Sequence, residues 1–146
     1  MIRKTLFALT LLSSLAVFII PIGASAQDLQ SLMPFKVGTF AIDDIPTVGL
    51  VLRNDELIVD LAAANRALQL MPQYSNISMP EDMLGLIAQY EYGLKYRVYE
   101  IVNWLVEENL LDGNPQRNFI HPVASVDIMA PIQYPSKLMN AAVNFY

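Results

Sequence analysis

The sequence predicts an α+β fold, a small antiparallel β meander packed with a long amphipathic helix. Three observations predict it. Apolar residues alternate with small or polar ones through residues 35–59, the period of a strand. From residue 60 to 111 the apolar spacing changes to three and four, the period of a helix. The connections inside 35–59 are also so short that they join only antiparallel neighbours.

The first strand is Phe35-Lys36-Val37-Gly38-Thr39-Phe40-Ala41-Ile42, rich in β-branched and aromatic residues. Asp43-Asp44-Ile45-Pro46 reads as a turn, because Asp bonds its own backbone and Pro fixes φ. Thr47 to Leu52 is the second strand, and Arg53-Asn54-Asp55-Glu56 turns into a short third strand, Leu57-Ile58-Val59. Leu61, Ala64, Leu68 and Met71 then recur at helical spacing, with Asp60 as the N-cap and Pro72 as the stop. Ser78-Met79-Pro80-Glu81 has the form of a capping box, opening a helix that runs to Leu111. Ile87, Tyr90, Leu94, Val98, Ile101 and Leu105 give that helix one apolar face, and Gly93 within it suggests a close packing contact. Asp112-Gly113-Asn114-Pro115 is the helix stop. Residues 116–123 read as an irregular connection, 125–129 as a short strand, and 130–135 as extended chain punctuated by Pro131 and Pro135. Leu138 to Tyr146 is an apolar, strand-like run, and a strand of that kind needs something to pair with.

Composition narrows the function. The 146 residues are 54% hydrophobic and 16% charged, which is not the composition of a disordered chain. The absence of cysteine excludes disulfides, thiolate metal sites and a cysteine nucleophile. The single histidine, His121, excludes motifs that need two. A net charge of −5 argues against nucleic acid, whose phosphates call for clustered cations.

Residues 1–26 have the form of a secretory signal peptide: Arg3 and Lys4, a mostly apolar stretch from Leu6 to Ile20, helix-breaking Pro21 and Gly23, then Ala24-Ser25-Ala26. Cleavage is expected after Ala26, leaving Gln27 first and the product secreted or periplasmic. The uncharged stretch is also long enough for a bilayer, which takes ~20 residues, but Pro21 and the small residues favour cleavage. N-terminal sequencing checks this; a retained Met1 would count against it, leaving membrane contact through an uncleaved leader.

Each candidate for chemistry has a plainer reading. Asp43-Asp44 as a metal pair competes with a hairpin turn, and neighbours in a strand point to opposite faces. Glu107-Glu108 diverge on a helix and read as a solvated face. His121, followed by Pro122, reads as a loop histidine without a neighbouring nucleophile. Asn76-Ile77-Ser78 fits the N-glycosylation pattern but reads as linker plus helix cap. Tyr90, Tyr92, Tyr96, Tyr99 and Trp104 suggest a ligand groove, with cover for the helix against the sheet as the simpler account. From the residues alone no catalytic, metal or cofactor-binding residue can be assigned.

Three segments in order resemble the N-terminal part of the fumarylacetoacetate hydrolase family. The first is Lys36-Val37-Gly38-Thr39-Phe40, Val48-Gly49-Leu50-Val51 and Val59-Asp60-Leu61, similar to the opening strands of its small N-terminal domain. The second is the amphipathic stretch from Pro80 to Leu105. The third and most specific is Met129-Ala130-Pro131-Ile132, Pro135-Ser136-Lys137-Leu138 and Val143-Asn144-Phe145. It resembles the proline-rich approach to the first catalytic strand, with Phe145 in place of the usual tyrosine and Ala142 in place of the usual glycine. Together these span nearly all of 35–146. With residues 1–26 read as signal peptide, the resemblance implies a division of the rest into 27–125 as N-terminal domain and 126–146 as the start of a catalytic domain, the first strand of an incomplete β-roll.

For the whole family the resemblance implies chemistry on small 2-oxo or 1,3-dicarbonyl acids. There a carboxylate-held Mg²⁺ or Ca²⁺ and a His-Glu pair do the work. None of those residues can be carried over here, since the family histidine and carboxylates follow the Asn-Tyr position and His121 precedes it. The expectation is an N-terminal portion of an exported family member, catalytically silent by itself and completed by the rest of the catalytic domain. The alternative is a non-enzymatic periplasmic binding or assembly module that uses 138–146 for strand pairing with a partner.

Overall fold

The computed structural model describes residues 29–112 and 117–137. The fold is α+β. Strands β1 (Lys36–Ile42), β2 (Ile45–Leu52), β3 (Leu57–Asp60), β4 (Ile120–Pro122) and β5 (Asp127–Ile128) form one antiparallel sheet in the order β4-β3-β2-β1-β5. Three helices, α1 (Leu61–Leu68), α2 (Met83–Gln89) and α3 (Lys95–Glu107), come between β3 and β4 in the chain.

The meander folds on local instructions. β1 and β2 are joined by Asp43 and Asp44 alone, both left-handed with φ of 50° and 62°, the signature of a type I′ hairpin. Ile45 and Pro46, expected in the turn, belong to β2, where Pro46 opposes Ala41. Pro is tolerated there because β3 pairs with β2 only from Gly49 onward. Left-handed backbone costs a non-glycine residue about 1–2 kcal/mol. Asp43→Asn with Asp44→Gly should therefore stabilise the protein by about 1 kcal/mol, read as a raised midpoint in urea.

The sheet has two apolar faces. Val48, Leu50, Leu52, Leu57, Val59 and Ile120 point toward the helices and meet Leu61, Leu68, Val98, Ile101 and Leu105 in the main core. Phe40, Ile42 and Ile58 point the other way and are covered by Val123 and Val126, on the connection from β4 to β5.

Asp60 caps α1 as its position predicts, accepting from the Ala63 N–H at 3.0 Å. α1 ends at Leu68, before Met71. The helix expected from Ser78 to Leu111 needs correcting at three points. It starts at Met83, capped by Asp82, whose Oδ1 accepts from the Gly85 N–H at 2.8 Å. Ser78 is a poor cap because Met79, before Pro80, is pushed away from helical angles. It is interrupted by a π-helical turn, Tyr90–Leu94, where Gly93 has φ of 115°. It ends at Glu107.

The interruption resets the helical phase. α2 buries Met83 and Leu86, while α3 buries Val98, Ile101 and Leu105, so Ile87 is left exposed instead of lying on one continuous face. Gly93 marks this break and no close contact, since a side chain there would meet nothing within 4 Å. Asp82→Ala should cost about 1 kcal/mol. Ser78→Ala should stay within about 0.5 kcal/mol, and chemical denaturation distinguishes the two.

Ile120–Pro122, expected as irregular, is strand β4 opposite Leu57, Ile58 and Val59. The strand expected at 125–129 is reduced to Asp127–Ile128 on the β1 edge, with Ser125 in a 3₁₀ turn. The leader 1–26, the helix-stop residues Gly113, Asn114 and Pro115, and the terminal run 138–146 lie outside the described residues.

Candidate functional site

A concavity lies where the β1–β2 hairpin, α2 and the strap 129–134 converge. β1 places Thr39 on the helix-facing side, buried at 5% exposure. Its carbonyl accepts the Met129 N–H at 2.9 Å and its hydroxyl donates to the Pro131 carbonyl at 2.8 Å. These two bonds lay the strap across the end of the sheet. The Asp82 cap sets the start of α2, so Met83 turns inward and Leu84 stays half-exposed at the rim. The result is a cavity of about 170 Å³ with Thr39, Val48 and Met83 at its base and Leu84, Ile132 and Tyr134 around its mouth. Glu81, Asp82 and Gln133 supply its polar edge.

A second, more polar groove runs along α1. Asn65 and Gln69 both donate to the Ile77 carbonyl and hold the 76–78 segment against the helix. Arg66, Ser78 and Glu81 line the space beside it. Asn76, Ile77 and Ser78 are exposed there, a linker as expected but without the helix cap.

Arg97 is the least expected group in the molecule. At 1% exposure it lies inside α3's packed face. Its Nη2 donates to the Ser75 carbonyl, and Nη1 lies 3.0 Å from Glu100 Oε2, an ion pair whose angle falls short of a hydrogen bond. Nothing in the periodicity singled it out. The available signal was a cation one residue from the apolar positions of α3 with a carboxylate three residues on. Asn103 was also overlooked. Its amide accepts from the Leu32 N–H at 2.7 Å and donates to the Gln30 carbonyl at 2.9 Å, fastening the lead-in to α3.

The residues on which the sequence resemblance rested divide. Pro131 is in the strap, Pro135 and Lys137 follow it exposed, and Asn144 and Phe145 lie outside the described residues, as do Ala24, Ala26 and Gln27. His121 is on a strand and not in a loop. It faces Ile58 on the second face, and its Nε2 is buried without a hydrogen-bond partner. Asp43 and Asp44 form the exposed hairpin turn, and Glu107 and Glu108 are exposed. Among the described residues no three acidic or histidine side chains gather as a metal site would require. No described helix is long and apolar enough to cross a membrane.

The tyrosines do not act as one cover for the sheet. Trp104 is buried against Phe119, centroids 6.0 Å apart, and Tyr90 and Tyr99 are half-buried. Tyr92 and Tyr96 face outward, each two residues from Leu94 and so off the buried stripe that continues through Val98. Burial first, then the adjacent Tyr99 phenol, raises the Tyr90 pKa above its ordinary 10.0. Burial and then Glu107 raise Tyr74 in the same way. A raised folded-state value favours the protonated fold. The contribution is complete below pH 10.0 and fades as pH climbs through the folded values. Urea midpoints should accordingly start to fall only above about pH 10 on this account.

No family model matches the chain, and no curated protein matches it in sequence.

Proposed function

We propose that residues 27–125 form the small N-terminal domain, and residues 126–146 the start of the catalytic domain, of an exported fumarylacetoacetate-hydrolase-family protein. On this reading the module supports a carbonyl-acid site built by other parts of the protein and contributes no catalytic residue of its own. The support is the order of three sequence segments, above all Met129-Ala130-Pro131-Ile132 followed by Pro135-Ser136-Lys137. The observation that carries the reading furthest is the strap. Its bonds to Thr39 tie Met129 and Pro131, at the start of the proline-rich approach, to the first strand of the sheet. The metal-dependent steps of the family, with Mg²⁺ or Ca²⁺, would belong to carboxylates beyond the residues named here.

Two experiments test this. Sequencing the transcript past codon 146 should reveal an in-frame histidine–glutamate pair and later carboxylates; an immediate stop codon overturns the reading. The purified chain with Mg²⁺ and an acylpyruvate should show no turnover, and measurable hydrolysis would overturn the assignment of chemistry to other parts of the protein.

A further inference from the structure

We propose that the cavity between the β1–β2 hairpin, α2 and the strap is a binding site for a compact cationic amphiphile, an arylalkyl or alkyl ammonium. Three observations converge on that chemistry. The first is size. About 170 Å³ is far below the several hundred Å³ of a pocket for a nucleotide or drug-sized molecule. It is close to the roughly 150 Å³ of an apolar cavity that takes up one benzene ring.

The second is the lining. Val48, Met83, Leu84, Ile132 and Tyr134 present hydrocarbon and one aromatic face. The Thr39 hydroxyl already has its partner in the Pro131 carbonyl, so it asks nothing of a ligand. An apolar body therefore enters without stranding a polar group at the base.

The third is charge. Glu81 and Asp82 stand at the polar edge, and no lysine, arginine or histidine lines the cavity. Among the described residues neither carboxylate takes part in an ion pair. Asp82 accepts from the Gly85 N–H through Oδ1 at 2.8 Å. Arg66 shares the neighbouring α1 groove with Glu81 but does not line this cavity. An ammonium at the rim above a buried ring would meet both carboxylates, and the exposed Tyr134 ring is a further attraction for a cation. The same edge repels carboxylic acids. The site is thus distinct from anything the family reading implies for its oxo-acid substrates, and its fate is independent of that reading.

The test uses the purified chain labelled with methyl-¹³C methionine, its Met83 resonance assigned with Met83→Leu. Phenethylamine, 2-phenylethanol and 3-phenylpropionate are titrated at low salt. The amine should shift the Met83 methyl at millimolar concentration. The alcohol should bind about three- to tenfold more weakly, as expected for the loss of exposed charge contacts, and the carboxylate more weakly still. Added salt should shrink the difference. Glu81→Gln with Asp82→Asn should abolish the preference for the amine, and circular dichroism should stay unchanged because Asn caps a helix as well as Asp. A Met83 methyl that does not move, equal binding of amine and alcohol, or tighter binding of the carboxylate would each overturn the proposal.

Discussion

Arg97→Ala destabilises the protein by about 3–5 kcal/mol, the range for breaking a buried polar contact and leaving a hole. The size of the effect follows from where the side chain sits. Its guanidinium and stem are buried on α3, on the same helix as the core residues Val98 and Ile101, and its Nη2 holds the carbonyl of Ser75 in the loop between α1 and α2. Alanine removes the packing and orphans that carbonyl. Arg97→Met separates the two effects. It restores most of the volume without a charge, so its cost should fall to about 1.5–3 kcal/mol, the range for one hydrogen bond to a charged group. Urea unfolding of both variants distinguishes the cases. If methionine is as damaging as alanine, the guanidinium's bond to the loop is the dominant contribution; the geometry favours packing, because Glu100 remains partly solvated on the other side.

Phe40→Ala should cost a similar ~3–5 kcal/mol. The Phe40 ring lies close over the paired glycines of β1 and β2, Gly38 opposite Gly49. A Cβ on Gly49 would sit 2.8 Å from Ile58 Cγ2 and 2.9 Å from Phe40 Cδ2, and one on Gly38 would sit 2.8 Å from Phe40 Cζ. Gly49→Ala alone should therefore cost about 1–3 kcal/mol by overpacking. On the Phe40→Ala background most of that cost should disappear, since Ile58 can then yield into the vacated space. A double-mutant cycle by chemical denaturation reads the coupling directly. Additive effects would show that the ring and the glycines do not share one layer.

The parts of this fold that were readable in advance are those whose instructions are local. β1, β2 and β3 follow from alternation and turn chemistry, and α1 from its spacing and from Asp60. β4 could not be read, because Ile120-His121-Pro122 is too short to display a period and its identity as a strand comes from pairing with residues 57–59. The Asp60 N–H bond to the Phe119 carbonyl and the Val123 N–H bond to the Glu56 carbonyl frame that pairing from afar. The break at Gly93 was hidden for another reason. A glycine in a helical pattern registers only as a local cost, whereas its positive φ serves to give α2 and α3 different buried stripes. Asp82 overtook Ser78 as a cap through a backbone restriction set by Pro80. The cavity was least legible of all: β1, β2, the start of α2 and the strap each contribute to its wall, and no single stretch carries its pattern.

The bond from Thr39 to Pro131 spans 92 positions of chain. A closure over that distance surrenders more chain freedom than any step within the meander, so it comes late in the folding reaction. The hairpin of β1 and β2 and the turn into β3 can assemble while later residues are still being synthesised. The strap arrives as a seal on a body already formed. Weakening it should quicken unfolding and leave the folding rate nearly untouched, the kinetic mark of a contact made after the barrier has been crossed.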